Sequence, residues 1–465
     1  MTFPKRTIFI TAITVLAFTI TPIAAMPVSA QSSETCTFPY ESVDATGTTV
    51  EVSTDPNRIV TANPSAAQTM WELNAEDEVV GVSQFATYLD GAAQKQNVSG
   101  PAGLSVESVL GANPDLVLVP NAASAPDKIG QIRDAGIPVY VFEEGTSLEF
   151  VAEKTELIGR LTGNCEAGQT RATEMRYDLT HIEQSTRNDG RPIGLHIFFG
   201  FTSGEETFIN DIIQTSGVLN GAALRGITGF KPINQETIID LNPEWITTPD
   251  DSDALTDSGY QNTEAGTRNK IIRINPNYIS QPAPRAVRAV ETITQSVHPD
   301  AYTQYQELQA ENKPIISSTE IETSSDGTAV TPKGTVTMRV DALHPGISSV
   351  TVNADVLAAG SVTLSDTDDD GVYTADITVG EATTLSDGRY ELPVTVTTTS
   401  ETETTTTTAP IQVTTTPLTG VAGEYDADND GEIGFDEVQA AITDFVVEET
   451  LTREEVQDVI RVFIV

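Results

Sequence analysis

Short apolar runs alternate with amphipathic stretches through the first two thirds of the chain. RIVTA at 58–62, EVVGV at 78–82, DLVLV at 115–119 and IPVYVF at 137–142 are rich in β-branched residues and scarcely interrupted by polar ones, which is how strands buried on both faces of a parallel sheet read. Between them PSAAQTMWEL from Pro64, the segment from Ser105, and DKIGQIRDAG from Asp127 place apolar side chains at helical spacing. A period-two stretch with a Gly turn at 36–51 predicts a hairpin ahead of them. Strands alternating with helices predict a parallel sheet covered on both faces.

The period then lengthens. SLEFVAEKTELIGRLTG, 147–163, is an amphipathic helix ended by Gly163; CEAGQTRATEMRYDLTHIEQST, 165–186, has no Pro and no Gly after Gly168, and reads as one long helix. Past it PIGLHIFFGF predicts a strand from Ile193, TSGEETFINDIIQTSG a helix closed by Gly217, NKIIRI a strand, and 284–311 helix. On either side of the long helix two segments repeat each other. LSVESVLGANPDLVLVP from Leu104 and INQETIIDLNPEWITTP from Ile233 both carry Glu fourth, Asn-Pro tenth and eleventh, an acid next, and an apolar run closed by Pro, at a constant offset of 129 residues. A pattern seen only twice fits two similar lobes rather than a solenoid.

After Lys313 the period becomes two, with Gly, Asp and Ser turns and almost no helix. The predicted fold is therefore an α/β two-lobed protein: lobe 1 at about 36–146, a hinge helix at about 165–187 and lobe 2 at about 190–312, within a unit of 31–312. An all-β sandwich of immunoglobulin-like architecture at 313–418 and a small calcium-loop module at 419–465 follow. The Thr-rich stretch 397–408 reads equally as a strand pair or a linker.

Charge changes the picture. With 67 Asp and Glu against 25 Lys and Arg, net −42, electrostatic capture of nucleic acid or anionic lipid is excluded. Scarce lysine and a surface of Asp, Glu and Thr point to a halophilic protein, whose self-repulsion strong salt screens. Residues 1–30 read as a secretory signal peptide, against a retained membrane anchor: Lys5 and Arg6, an apolar run interrupted by Pro22, and Val28-Ser29-Ala30 as cleavage site. The only two cysteines, Cys36 and Cys165, favour one disulfide in an oxidising compartment, against two separate buried thiols.

Asp426, Asp428, Asp430, Glu432 and Glu437 occupy a calcium-loop pattern, with Gly431 at the tight turn and Glu437 as the bidentate donor. Alternate carboxylates on a tight loop suit a hard cation that takes oxygen ligands. The module resembles the EF-hand-related dockerin type with one of its two loops, which implies a cohesin-like partner or Ca²⁺ as a structural pin. Asp366, Asp368 and Asp370 open like a second loop but meet Ile377 where the bidentate Glu belongs, and read as a turn. The four histidines are scattered, so free metal is not the cargo; no nucleophile elbow, phosphate loop or Ser-His-Asp order is found, so the chain reads as a non-enzyme.

The order NPSAAQTMWEL, EVVGVS, LSVESVLGANPDLVLVP, AGIPVYVF, SLEFVAEKTELIGRLTG, FTSGEETFINDIIQTSG and PAPRAVRAVETITQSVHP, from about 53 to 312, resembles the substrate-binding proteins of ABC importers for cobalamin and ferric siderophores. That resemblance implies two lobes on a rigid helix, a cobalamin or Fe(III) chelate clamped between them, and permease and ATPase subunits as partners. It also implies one Glu per lobe docking on permease arginines, and Glu107 and Glu236 stand at those places. Each also stands near a helix start, where the dipole alone favours a carboxylate. A ligand in the crevice at the carboxyl ends of the strands would meet Asn63, Pro64, Phe85, Tyr88, Pro120, Asn121, Phe199, Phe201, Thr202, Phe230 and Tyr278, each of which also reads as core. Lys231, Arg225 and Arg268 either meet anionic siderophore groups or are surface charges. The rival reading from another class is a calcium-stabilised cell-surface adhesion or scaffold protein.

Overall fold

A computed structural model describes residues 36–100, 103–120, 125–251, 253–323, 329–330, 333–367, 370–380, 388–399, 403–413, 438 and 440–441. The signal-peptide and calcium-loop readings lie outside those residues.

A hairpin of β1 (Tyr40–Val43) and β2 (Thr49–Val52) leads into the first lobe. There β3 (Ile59–Thr61), β4 (Val79–Val82), β5 (Gln96–Asn97), β6 (Leu116–Val119) and β7 (Val139–Val141) form one parallel sheet in the order β5-β4-β3-β6-β7. Successive side chains fall on opposite faces. Ile59, Leu116, Leu118 and Tyr140 enter one core; Val60, Val117, Val119, Val139 and Val141 enter the other. Three helices serve this sheet: α1 (Pro64–Glu72), α2 (Val106–Gly111) and α3 (Pro126–Asp134). Side chains cap the first two starts, Asn63 accepting from the Ala66 N–H at 2.9 Å and Ser105 from the Ser108 N–H at 3.2 Å.

Helix α4 (Leu148–Thr162) and the hinge helix α5 (Cys165–Thr186) join the lobes. They cross backbone to backbone at Gly159 and Gly168, where a Cβ on either would come within 3.0 Å of the other's Cα. A disulfide between Cys36 and Cys165 ties the described N-terminal end to the start of α5.

In the second lobe β8 (Ile193–His196), β10 (Leu219–Asn220), β12 (Trp245–Pro249) and β13 (Ile271–Ile274) form a parallel sheet in the order β10-β8-β12-β13, with the small hairpin of β9 (Phe201–Ser203) and β11 (Phe230–Pro232) beside it. Helices α6 (Phe208–Thr215), α7 (Gln235–Leu241), α8 (Val287–Val297) and α9 (Pro299–Glu311) complete it. Two expectations are corrected. The strand expected from Ile193 onward ends at His196, because Phe199 and Gly200 take φ of 49° and 81° and turn the chain back into β9. The helix expected to follow starts only at Phe208, where Thr207 accepts from the Asn210 N–H at 3.1 Å and caps it.

The β domain pairs a sheet of β14 (Ile315–Thr323), β16 (Thr335–Leu343) and β19 (Val372–Thr378) with one of β15 (Ala329–Val330), β17 (Ile347–Ala354), β18 (Gly360–Leu364), β20 (Gly388–Thr398) and β21 (Thr404–Val413). Val336, Met338 and Val340 of the first sheet share one core with Val350, Val352, Val394 and Val396 of the second. The Thr-rich stretch is a strand pair: Thr397 stands opposite Thr404.

Candidate ligand-binding site

The topology of each sheet creates a crevice. In the first lobe the chain moves from β3 to β4 on one side and then crosses to β6 on the other; in the second it moves from β8 to β10 and then crosses to β12. The chain leaves the sheet in opposite directions at β3/β6 and at β8/β12, which opens a gap at the carboxyl ends of those strands. Asn63 and Pro64 follow β3, Pro120 follows β6, and Phe85 follows β4. Asn121 lies outside the described residues. In the second lobe Phe198, Phe199 and Phe201 follow β8 directly.

Four of the predicted aromatic positions are exposed: Phe85 at 66%, Phe199 at 55%, Phe201 at 42% and Phe230 at 42%. Two of the three on the second lobe, Phe201 and Phe230, are organised by Phe198, which sequence reasoning passed over. Its ring centroid lies 6.0 Å from Phe201, 6.1 Å edge-on from Phe230 and 5.1 Å from His196. Pairing of β9 with β11 sets Ser203 opposite Phe230 and holds the group in place. Beneath it His196 is buried, with Nδ1 3.1 Å from the Thr247 hydroxyl. Burial pushes its pKa down to about 3, so the ring is neutral. Lys231 lies opposite Thr202 on the same hairpin. Arg225 and Arg268 are held by Asp240 and Glu264 at 2.7 and 2.8 Å.

Three predicted wall residues have other work. Thr202 is fully buried, its hydroxyl donating to the His196 carbonyl at 2.7 Å. Tyr278 packs partly on the second-lobe core, and its hydroxyl accepts from Arg288 at 3.2 Å. Tyr88 sits in a polar seam between the lobes: its hydroxyl donates to Gln281 at 2.7 Å and accepts from Gln68 at 2.8 Å. Gln68 also donates to the Asn277 carbonyl at 3.0 Å and accepts the Arg285 N–H at 3.1 Å. Arg285 and Arg171 then converge on Glu72 at 2.7 and 3.1 Å. Burial alone would raise the Glu72 pKa, but these two guanidiniums hold it below its ordinary value. Deeper in the same seam Lys154 is buried, donating to the Ser65 hydroxyl at 2.8 Å and the Pro282 carbonyl at 3.0 Å, with its ammonium 5.4 Å from the Phe142 ring centroid. The seam thus ties α1 and α4 to the segment 277–285.

Glu107 and Glu236 occupy the same place in both lobes, second in α2 and in α7, after caps by Ser105 and Asn234. Both are exposed, and neither carboxylate makes an ion pair or hydrogen bond among the described residues. A helix that precedes a parallel strand starts at the sheet's carboxyl edge, so both acids stand on the crevice side of their lobe. One turn along each helix is an exposed apolar side chain, Leu110 at 39% and Ile239 at 40%, again 129 residues apart.

A separate depression of about 480 Å³ lies at the amino edge of the second sheet, lined by Glu183, Arg187, Arg191 and Asp211 among others. Its charges are mixed and it is remote from the aromatic group. Among the described residues no cluster of three or more metal-ligating side chains occurs, and no helix is long and apolar enough to cross a membrane.

Comparison with known proteins follows this architecture. Residues 59–278 match the family model described as periplasmic binding protein. A cobalamin-binding protein of Halobacterium salinarum is 39% identical over 284 residues, 58% of this chain and 77% of the relative. An uncharacterised ABC transporter substrate-binding lipoprotein of Bacillus subtilis is 27% identical over 286 residues, 59% of this chain and 90% of its own. The solved periplasmic heme-binding protein RhuT from Roseiflexus sp. RS-1 superposes with a TM-score of 0.48 at 25% identity, over 54% of this chain and 99% of its own. On the Halobacterium relative and the matched lobes, the chain belongs to the periplasmic binding protein family.

Proposed function

We propose that the chain captures a cobalamin-type corrinoid outside the membrane and delivers it to the permease and ATPase subunits of an ABC importer. One observation carries this reading: Phe85, Phe199, Phe201 and Phe230, at the crevice edges of the two sheets, are left exposed in a chain whose other large apolar side chains are mostly buried. Exposed apolar groups at one edge mark a binding surface, and aromatic faces suit a flat, greasy macrocycle. A haem needs an axial donor from the protein, whereas a corrinoid brings its own cobalt ligands. Among the described residues the exposed aromatic positions at these edges are all Phe, without a lone pair for iron, and His196 is buried beneath the second-lobe group. The Halobacterium relative, named for cobalamin, supports the same choice.

The polar seam keeps the lobes close to one geometry, so capture needs little closure and loses little affinity to ordering. Delivery rests on Glu107 and Glu236, two unpaired carboxylates at equivalent places, each with an apolar neighbour one turn on. The sandwich is read as immunoglobulin-like in architecture. The loop with Asp426, Asp428, Asp430, Glu432 and Glu437 is read from its pattern as a Ca²⁺ pin. The charge of −42 fits work in strong salt.

Thermal unfolding in molar KCl with cyanocobalamin, haem and a ferric siderophore tests the ligand. Cyanocobalamin at a hundred times its Kd is expected to stabilise the protein by about 2.7 kcal/mol. Stabilisation by haem or siderophore with none by cyanocobalamin overturns the reading.

A further inference from the structure

The structure brings together two histidines that lie far apart in sequence. His181 stands on the hinge helix and His344 just past β16 of the β domain, 4% and 8% exposed, with the buried ring of Tyr177 between them. Tyr177 lies 4.3 Å from His181 and 5.3 Å edge-on from His344, centroid to centroid, and its hydroxyl donates to the Lys313 carbonyl at 2.9 Å. The Gly346 N–H donates to Nδ1 of His344 at 2.9 Å, so the ring carries its proton on Nε2. A second proton at Nδ1 would set one N–H against another. Among the described residues neither His181 Nδ1 nor His344 Nε2 completes a hydrogen bond of good geometry, although the Asn312 carbonyl stands near His344.

We propose that the β domain is a brace seated on the hinge helix by the neutral forms of His181 and His344, and that protonation of this pair releases it. The groups facing the pair come from every element of the joint. The hinge helix adds Tyr177 and Asp178, the end of α9 adds Glu311 with Lys313 beyond it, and the β domain adds Glu403. Burial lowers the pKa of both histidines; for His181 the proximity of His344 adds to this and Glu311 opposes it. For His344 the Asn312 carbonyl and Glu403 oppose burial. The seated joint therefore binds fewer protons than the open one. It is fully held above the ordinary histidine value of 6.5 and weakens as pH falls below it. Each full unit by which one ring's pKa is depressed weakens seating about tenfold.

The full chain in molar KCl tests this by solution scattering and hydrogen exchange between pH 8 and pH 5. Proton spectra follow the ring resonances, with those of His181 and His344 assigned by their loss in the single His181→Phe and His344→Phe variants. Expected are a larger radius of gyration and faster exchange at residues 177–185 on acidification, in the same pH range in which His181 and His344 titrate. The ring-preserving double variant His181→Phe/His344→Phe should stay seated at pH 5. Asp178→Asn should still release, since Asp178, raised by burial to about 6, is the other group titrating nearby. A wild type that stays compact at pH 5, histidines that titrate outside the release range, or release abolished by Asp178→Asn overturns the proposal. If the double variant does not fold, the wild-type titration alone decides.

Discussion

Arg285 of the second lobe donates to Glu72 of the first at 2.7 Å, and Arg171 of the hinge helix holds the other carboxylate oxygen at 3.1 Å. One carboxylate thus joins both lobes and the helix between them. Removing its charge leaves the Arg285 guanidinium, partly buried, without its carboxylate and Arg171 with only Glu174 at 3.5 Å and the Pro284 carbonyl at 3.4 Å, a kind of loss that is strongly destabilising where burial is complete. With side chains 14–23% exposed here, Glu72→Gln should cost about 2–3 kcal/mol. Thermal unfolding reads the loss, and faster hydrogen exchange in 277–285 places it at the seam. An unchanged melting temperature would show that the ion cluster contributes nothing to holding the lobes.

Lys154 gives the seam a pH dependence of known sign. Burial pushes its pKa down to about 7 from 10.5. Below pH 7 the lysine is charged in both folded and unfolded chains, and above 10.5 it is neutral in both. Between these values only the unfolded chain holds the proton, so stability should rise with pH by up to about 1.4 kcal/mol per unit. Denaturant titrations at pH 7, 8 and 9 should show that rise in the wild type and its absence in Lys154→Met. A wild-type stability that is flat or falls over this range contradicts a neutral buried lysine.

How much of this was legible in the chain depended on whether a feature was local. The hinge helix was, because 22 residues run on after the Gly163 stop with no Pro, and so was the pair of α2 and α7 units, whose caps and Asn-Pro breaks recur at one spacing. The end of β8 at His196 was not. It depends on Phe199 taking a left-handed conformation, which a bulky side chain rarely signals. Tyr88 and Thr202 read as crevice walls because both stand near strand ends. Their hydroxyls have partners at Gln281 and at the His196 carbonyl that only the folded chain reveals. The meeting of His181 with His344 is of the same kind: in the sequence they are two of four scattered histidines.

If Glu107 and Glu236 dock the permease, as proposed, delivery is separable from capture. Glu107→Lys/Glu236→Lys should abolish uptake of cobalamin by cells while leaving the Kd of the purified protein unchanged, because neither side chain has a partner in the fold to lose. Leu110→Ser/Ile239→Ser tests the apolar half of the same face. Losing two exposed side chains from a buried contact is worth about 1–3 kcal/mol each, so uptake should fall without disappearing. Normal uptake by the charge-reversed protein would remove both acids from docking, whereas normal uptake by the serine variant alone would confine docking to charge.

The exposed phenylalanines offer a test of capture that the fold does not confound. Phe230 is 42% exposed and lies edge-on to Phe198 at the open side of the small hairpin, so shortening it should change stability by less than about 0.5 kcal/mol. If a corrinoid covers it, Phe230→Ala loses the burial of an aromatic ring, about 1.5–3 kcal/mol, or about ten- to a hundredfold in Kd. Phe85→Ala should give a similar loss from the other lobe, and the two losses should add if the ligand touches both. Calorimetric titration with cyanocobalamin measures each. A loss at Phe230 with none at Phe85 would place the ligand on the second lobe alone, and unchanged affinity in both variants would put the binding surface elsewhere.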